Sequence, residues 1–131
     1  MTIPFWCLLV AVLIPYVLAG VGGYFRAKQF GSVDNENPRR QASLLEGTGA
    51  RAQAAQDNAR EALPVFTAAV VVAHLAGVAP GTAATLSVVF LGARLLHAVC
   101  YLANWATARS LTFLVGLVAC LSLFGAAARA G

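Results

Sequence analysis

Residues 51–66 read RAQAAQDNAREALPVF, and this stretch decides how the rest of the chain is organised. It places charged and amide side chains at the start of an apolar run. At helical spacing, Arg51, Asn58 and Glu61 lie on one face of the predicted helix. Charges inside a membrane are energetically costly, so they usually pair with one another or serve a function. Pro64 removes a backbone hydrogen bond, and the sequence predicts a kink just past the polar cluster.

The composition is that of an integral membrane protein. Of the 131 residues, 60% are hydrophobic and only 11% are charged, whereas about 25% are charged in a typical soluble domain. Because a membrane-spanning helix takes about 20 residues, four helices with short connections fill the chain. We therefore predict an all-α, four-helix membrane bundle that forms a single domain over residues 1–131. Its helices are expected at residues 3–26, 45–76, 82–104 and 110–128.

The basic residues predict which side of the membrane each loop faces. Four of them lie in or beside the first loop, namely Arg26, Lys28, Arg39 and Arg40. Since loops rich in Lys and Arg stay in the cytoplasm, we expect the first loop there, and the third loop with Arg109 as well. Both termini then face the opposite side. A nucleic-acid partner is disfavoured, because the net charge of +4 comes from few residues beside membrane spans.

A second polar stripe follows the third predicted helix. Its members stand at positions i, i+3, i+7 and i+10, and they are Arg94, His97, Tyr101 and Asn104. Neither polar stripe packs well against lipid, so we expect the two to face each other or a subunit interface. Arg109 and Ser110 lie in the following turn, where Ser110 is expected to cap the fourth helix. The sequence thus predicts a polar pocket near the cytoplasmic membrane surface.

The predicted pocket is cationic and also contains acids. Its basic members are Arg51, Arg94, Arg109, Arg26 and His97, and its acids are Glu61 and Asp57. This mixture suits a ligand that carries several carboxylates and an amine. The three cysteines, Cys7, Cys100 and Cys120, stand alone in apolar runs and are predicted to pack as small hydrophobic residues. No metal site is predicted.

Two motifs resemble those of a known family. The run R-A-x-A-A-Q-x-N-x-x-E-x-x-P at residues 51–64 resembles the second-helix signature of the MAPEG family, the membrane-associated proteins in eicosanoid and glutathione metabolism. The run R-x-x-H-x-x-x-Y at residues 94–101, followed by ARS at 108–110, resembles that family's third helix and the turn into its fourth. The NPR run at residues 37–39 resembles the family's bacterial branch. The two helix motifs together are specific.

The resemblance implies a homotrimer of four-helix subunits in the bacterial inner membrane. Glutathione, as co-substrate, would bind between neighbouring subunits, with Asn58 and Glu61 holding the peptide and Glu61 meeting its amine. Further binding residues would be Arg26, Arg51, Arg94, His97 and Tyr101.

The resemblance also implies an activity. Arg109 and Ser110, together with Tyr101, would act near the glutathione sulfur, where a cation and a helix N-terminus favour the thiolate. The thiolate would attack a lipophilic electrophile or a lipid hydroperoxide that arrives from the bilayer. The implied function is that of a glutathione transferase or peroxidase.

Two other functions stay open. Ala54 and Asp57 stand where active relatives often carry basic residues, which favours a non-catalytic member that binds lipid or a partner protein. A third hypothesis, from another class, is a small transporter that uses Glu61 for proton coupling.

Structural interpretations compete for single residues. Glu61 is suited to an intramembrane ion pair with Arg60 or Arg94, His97 to helix packing, and Arg109 to anchoring a loop. Tyr101 is suited to the aromatic belt at the membrane surface. His74 is alone among apolar neighbours and is expected to be structural, although His74 and His97 as paired haem ligands are an alternative.

Overall fold

The structure is a computed structural model that describes residues 1–131, and it is entirely helical. It contains α1 (Ile3–Phe30), α2 (Pro38–Ser43), α3 (Gly47–Leu75), α4 (Pro80–Leu102) and α5 (Ala106–Ala130). Three of these helices, α1, α4 and α5, are long and apolar enough to cross a membrane. The protein is therefore an integral membrane protein, as the composition predicts. Helix α3 is as long as α1, but its first half carries the charged residues of the opening stretch.

The first polar loop is more ordered than the sequence predicts, because it contains the short helix α2. The carboxylate of Asp34 accepts hydrogen bonds from the backbone N–H groups of Glu36 and Asn37, each at 2.9 Å. The amide of Gln41 ties the same loop together by donating to the Ser32 carbonyl at 2.8 Å. Pro38 opens α2, where its missing N–H has no cost. The chain thus has a fifth, short helix in addition to the four that the sequence predicts.

Helix α4 ends at Leu102, so the predicted polar stripe loses its last member. Asn104 adopts a left-handed conformation with φ of 60°. The N–H of Trp105 bonds to the Cys100 carbonyl at 2.9 Å, and the N–H of Asn104 bonds to the Tyr101 carbonyl at 3.1 Å. This pattern is a Schellman motif, in which Asn is the commonest substitute for Gly. Asn104 is exposed and lies outside the α4 stripe.

Helix α5 begins at Ala106, four residues earlier than predicted, because the Schellman motif completes the turn within three residues. Ser110 consequently lies inside the helix, and its hydroxyl donates to the Ala106 carbonyl at 3.2 Å. The prediction that Ser110 caps this helix is wrong.

Helix α1 is longer than predicted. It continues to Phe30 and ends at Gly31, whose φ is 80°.

The four long helices pack around a core of aromatic and small side chains. Phe66 on α3 is fully buried and stacks on Phe90 of α4, with ring centroids 3.8 Å apart. Leu123 of α5 is fully buried in the same cluster. A second cluster joins α1 to α3 through Ile14, Leu18, Ala55 and Ala59, and Tyr101 packs against it. Pro64 lies inside α3, which continues past it to Leu75.

Replacing Gly49 with alanine is expected to destabilise the fold. A Cβ atom at Gly49 would lie 2.9 Å from Leu45 Cδ2 and 3.0 Å from Phe25 Cβ. Relieving such overpacking costs roughly 1–3 kcal/mol, and the better helix propensity of alanine returns at most about 1 kcal/mol. Thermal unfolding in detergent, followed by circular dichroism, should show a Tm several degrees below that of the wild type. The control is Gly92→Ala, because a Cβ at Gly92 meets nothing within 4 Å; equal Tm values for the two variants would contradict the packing described here.

Candidate functional site

The polar side chains of α3 and α4 meet between the helices. Arg94 is buried, with only 5% of its surface exposed. Its guanidinium donates a hydrogen bond from Nη2 to the side-chain oxygen of Asn58. A buried charge requires such partners, because leaving it unpaired in an apolar environment is costly. The structure thus brings together one residue from each of the two stripes.

A cleft of about 210 Å³ opens beside this pair, between α3, α4 and α5. Its polar lining comes from Asn58, Glu61 and Arg94. Glu61 is exposed, and the one ion pair in the chain joins Arg60 to Asp57, so the ion pair considered for Glu61 is not formed. The Glu61 carboxylate is therefore free to meet a ligand. The remaining walls are Ala62, Val65, Phe90, Phe113, Gly116, Leu117 and Cys120.

A second group of side chains lies at the turn between α4 and α5. The carbonyl oxygen of Arg109 lies 2.9 Å from His97 Nδ1. Since a carbonyl only accepts, Nδ1 donates in this contact, and in the neutral ring Nε2 then has the lone pair. The guanidinium of Arg109 lies over the Tyr101 ring, 4.6 Å from its centroid. This cation–π contact fixes a positive charge at the start of α5.

The two groups adjoin each other along α4. The rings of His97 and Tyr101 meet edge to face at 5.2 Å, and Phe113, which lines the cleft, lies 6.1 Å from His97. His97 is 3% exposed, and its Nε2 has no hydrogen-bond partner within the chain. A buried nitrogen with a free lone pair is rare in folded proteins and calls for a partner from outside the chain. His97, Tyr101 and Arg109 therefore form one connected group, which adjoins the cleft through Phe113.

Three predicted site residues lie elsewhere within the chain. Arg51 donates to the Thr48 hydroxyl at 2.7 Å and to the Leu102 carbonyl at 3.3 Å, so it joins α3 to the end of α4. Arg26 donates to the Pro38 carbonyl at 3.4 Å, on another side of α3. Ser110 is exposed on α5. A single chain does not bring these three into the cleft.

Arg26 belongs to a separate polar cleft of about 770 Å³ between α1, α2 and α3. Arg39, Arg60 and Asp57 also line it. The Asp57 carboxylate lies 3.4 Å from the Arg60 guanidinium and accepts hydrogen bonds from the Gln53 amide at 3.1 and 3.2 Å. Asp57 is thus matched by residues three and four positions away on the same helix.

Sequence reasoning missed the contribution of α5 to the cleft. Phe113 and Leu117 are ordinary membrane-facing residues by type, so nothing in the pattern singles them out. Gly116 gave a usable signal, since small residues mark close helix approach. A Cβ at Gly116 would lie 3.5 Å from Arg94 Cδ, an ordinary van der Waals distance, so the arginine stem packs closely against α5 at this glycine.

The haem alternative does not fit the helix positions. His74 lies just before the start of α4 and His97 near its end. At 1.5 Å per residue, the intervening part of α4 separates them by about 25 Å. All three cysteines are free and buried, as the sequence predicts.

A helical integral membrane protein with polar side chains sheltered between its long helices is the class that this fold and cleft define. The MAPEG family model matches residues 3–129 of the chain. The chain belongs to the MAPEG family, which confirms the resemblance carried by the two helix motifs. No curated protein matches the sequence.

Proposed function

We propose that the protein is a membrane-bound, glutathione-dependent transferase or peroxidase that acts on lipophilic electrophiles or lipid hydroperoxides. The observation that carries the proposal is the cleft in which Arg94, Asn58 and Glu61 converge. Glutathione has two carboxylates and one ammonium group, and this cleft offers a buried cation beside an unpaired acid. Membership of the MAPEG family supports the same ligand.

Each cleft residue has a role in this proposal. Arg94 bonds a glutathione carboxylate, because a guanidinium presents paired donors to a planar anion. Glu61 accepts from the ammonium group, and Asn58 bonds the peptide while it holds Arg94 in place. His97 does not line the cleft, and its role in this proposal is to hold the α4–α5 turn in place through the Arg109 carbonyl.

The remaining predicted residues enter through a neighbouring subunit. We propose that α3 is the fourth membrane crossing of a single domain and that three such four-helix subunits form a homotrimer. The cleft with Arg26 opens on a different face of α3 from the cleft with Glu61. In the trimer, the Arg26 cleft of one subunit would face the Glu61 cleft of its neighbour, so that cations from both chains complete the site. Arg51 would support the site indirectly, because it holds α3 against the end of α4.

The chemistry in this proposal rests on activation of the glutathione sulfur. The fixed Arg109 charge and the N-terminus of α5 stabilise the thiolate relative to the thiol. Tyr101 positions Arg109 through its ring, and Ser110 follows Arg109 inside α5. As a transferase, the thiolate attacks the electrophilic carbon and forms a C–S bond while the leaving group departs with the bonding electrons. As a peroxidase, it attacks the terminal peroxide oxygen, the O–O bond breaks, and the lipid alkoxide takes a proton and leaves as an alcohol. A second glutathione then reduces the resulting sulfenic acid, which gives glutathione disulfide and water. The second substrate arrives from lipid, with which the exposed apolar helix faces are in contact.

The proposed location follows from the charges. Arg26, Arg39 and Arg109 favour a cytoplasmic position for the first and third connections, so we propose that the site lies near the cytoplasmic surface. The resemblance of the NPR run to the family's bacterial branch supports the bacterial inner membrane as the location. Glutathione would enter from that side.

The second candidate is a non-catalytic family member that binds lipid or a partner protein. Its support is Asp57, which occupies Arg60 in an ion pair at the cationic cleft. Together with Ala54, this pair lowers the positive charge available to a ligand.

One titration separates the candidates. The purified protein is mixed with glutathione in detergent while the ultraviolet absorbance of the thiolate is followed, and conjugation of a generic aryl halide and reduction of a lipid hydroperoxide are then assayed. The proposed function requires both a thiolate signal and turnover. A saturable signal without turnover supports the non-catalytic member. If glutathione does not bind, the proposed function is overturned, and the lipid- or partner-binding member and the transporter remain.

A matched pair of variants makes the test specific. Glu61→Gln should weaken glutathione binding about tenfold, since a charged hydrogen bond is replaced by a neutral one. Glu46→Gln makes the same change at an exposed residue before α3 and should have no effect.

A further inference from the structure

A third cavity lies at the end of the helices opposite to the site described above. Its volume is about 390 Å³, which falls in the range of about 300–1,000 Å³ typical of ligand pockets. Val70, Ala73 and Leu123 line it and are at most 1% exposed. The remaining lining residues are Thr2, Ile3, Pro4, Phe5, His74, Val78, Pro80, Ala83 and Ala84. None of these residues belongs to the proposed glutathione site.

The side chains that line the cavity are apolar except for Thr2 and His74, which are both exposed. His74 is its only titratable side chain, Thr2 is its only other side-chain donor, and no acid lines it. The His74 ring meets Phe5 edge to face, with centroids 5.2 Å apart. Helices α1 and α4 both begin at this cavity, and helix starts carry a positive partial charge. The cavity therefore suits a ligand with an apolar body and a single anionic or accepting head.

We propose that this cavity binds a long-chain fatty acid from the bilayer, with the carboxylate at His74 and the acyl chain beside Val70 and Leu123. Lipid tails are as apolar as the cavity wall, so burial of the chain alone does not select a ligand. Selection must come from the head group. A neutral or protonated imidazole has an N–H to donate, so the contact needs no change of protonation. The modest volume favours a ligand with one chain over a two-chain phospholipid.

The head-group contact is tested with a fluorescent polyene fatty acid and its methyl ester as probes. The protein is placed in phosphatidylcholine nanodiscs, and empty nanodiscs give the background. We expect saturable binding of the acid and at least about tenfold weaker binding of the ester, since a charged hydrogen bond is lost. His74→Leu should weaken binding of the acid about tenfold and leave the ester unchanged. His74→Gln keeps an N–H donor and should restore most of the affinity.

The location is tested by filling the cavity. Ala84→Phe places a ring in the cavity and should abolish saturable binding, whereas Thr85→Phe adds the same ring at the next, exposed position of α4 and should not. The glutathione-dependent thiolate signal should be the same in all four variants. A failure of this proposal can therefore be distinguished from a failure of the proposed function. Equal binding of acid and ester, or equal binding by Ala84→Phe and Thr85→Phe proteins of equal Tm, would overturn it and leave only bilayer lipid in the cavity.

Discussion

Replacing Arg94 with methionine is expected to weaken glutathione binding about a hundredfold while the helices stay folded, which corresponds to about 2.7 kcal/mol. The guanidinium is the only cation that lines the cleft within one chain. Methionine keeps the length and apolar stem of the side chain, so the packing against Gly116 and Phe90 is preserved. Asn58 is only half-buried, and water can replace the hydrogen bond that it loses. The affinity is measured by titrating the thiolate absorbance or by isothermal titration calorimetry.

The control for this variant removes an arginine charge at a position away from the cleft. Arg129→Met changes an exposed arginine in the last turn of α5, far along the chain from the cleft. Its glutathione affinity and Tm should equal those of the wild type. If Arg94→Met binds glutathione as tightly as Arg129→Met and is equally stable, the ligand does not occupy this cleft and the proposed function is wrong.

The pairing of Asn58 with Arg94 was predictable because polar side chains are conspicuous in apolar helices. Periodicity places Asn58 and Glu61 on one face of α3, and Arg94 and His97 on one face of α4. Buried polar groups must find partners, so two such faces in a small membrane protein are expected to meet. The hydrogen bond between Arg94 and Asn58 is the outcome of that requirement.

Arg51 and Arg26 could not be placed by the same reasoning. Their side chains are long, and they bond backbone carbonyls of Leu102 and Pro38. Which carbonyl lies within reach depends on how the helix ends are arranged in space, and periodicity carries no information on that. The face of a helix is therefore a better guide for short polar side chains such as Asn58 than for arginines near helix ends.

The sequence-based prediction misplaced the turn between α4 and α5, because it relied on Ser110 as a helix cap and overlooked Asn104 as a helix end. Ser110 is a good helix cap by type, and this favoured a late start for α5. Asn104 is equally typical of a left-handed residue just after a helix, and it is the feature that the backbone follows. Ending α4 at Leu102 brings the start of α5 back over α4. That return places the Arg109 carbonyl at His97 and the Arg109 guanidinium at Tyr101.

Replacing Arg109 with alanine is expected to lower turnover about a hundredfold while changing glutathione affinity less than about threefold. The backbone carbonyl of Arg109, which accepts from His97, remains in the variant, so the α4–α5 turn keeps its hydrogen bond. What disappears is the positive charge over Tyr101. Since a factor of ten in thiolate fraction corresponds to about 1.4 kcal/mol, losing a cation close to the sulfur removes the thiolate signal without removing the contacts to the peptide.

The pH dependence separates activation from binding. Without the cation the glutathione thiol holds its proton more tightly, so the curve of rate against pH should move to higher pH, and the thiolate absorbance should reappear only there. Arg109→Lys keeps the charge and should retain much of the signal, although a lysine lacks the planar group that lies on the Tyr101 ring. A loss of affinity as large as the loss of turnover, with an unmoved pH curve, would mean that Arg109 binds the peptide. The activation step would then have to be assigned to the start of α5 alone.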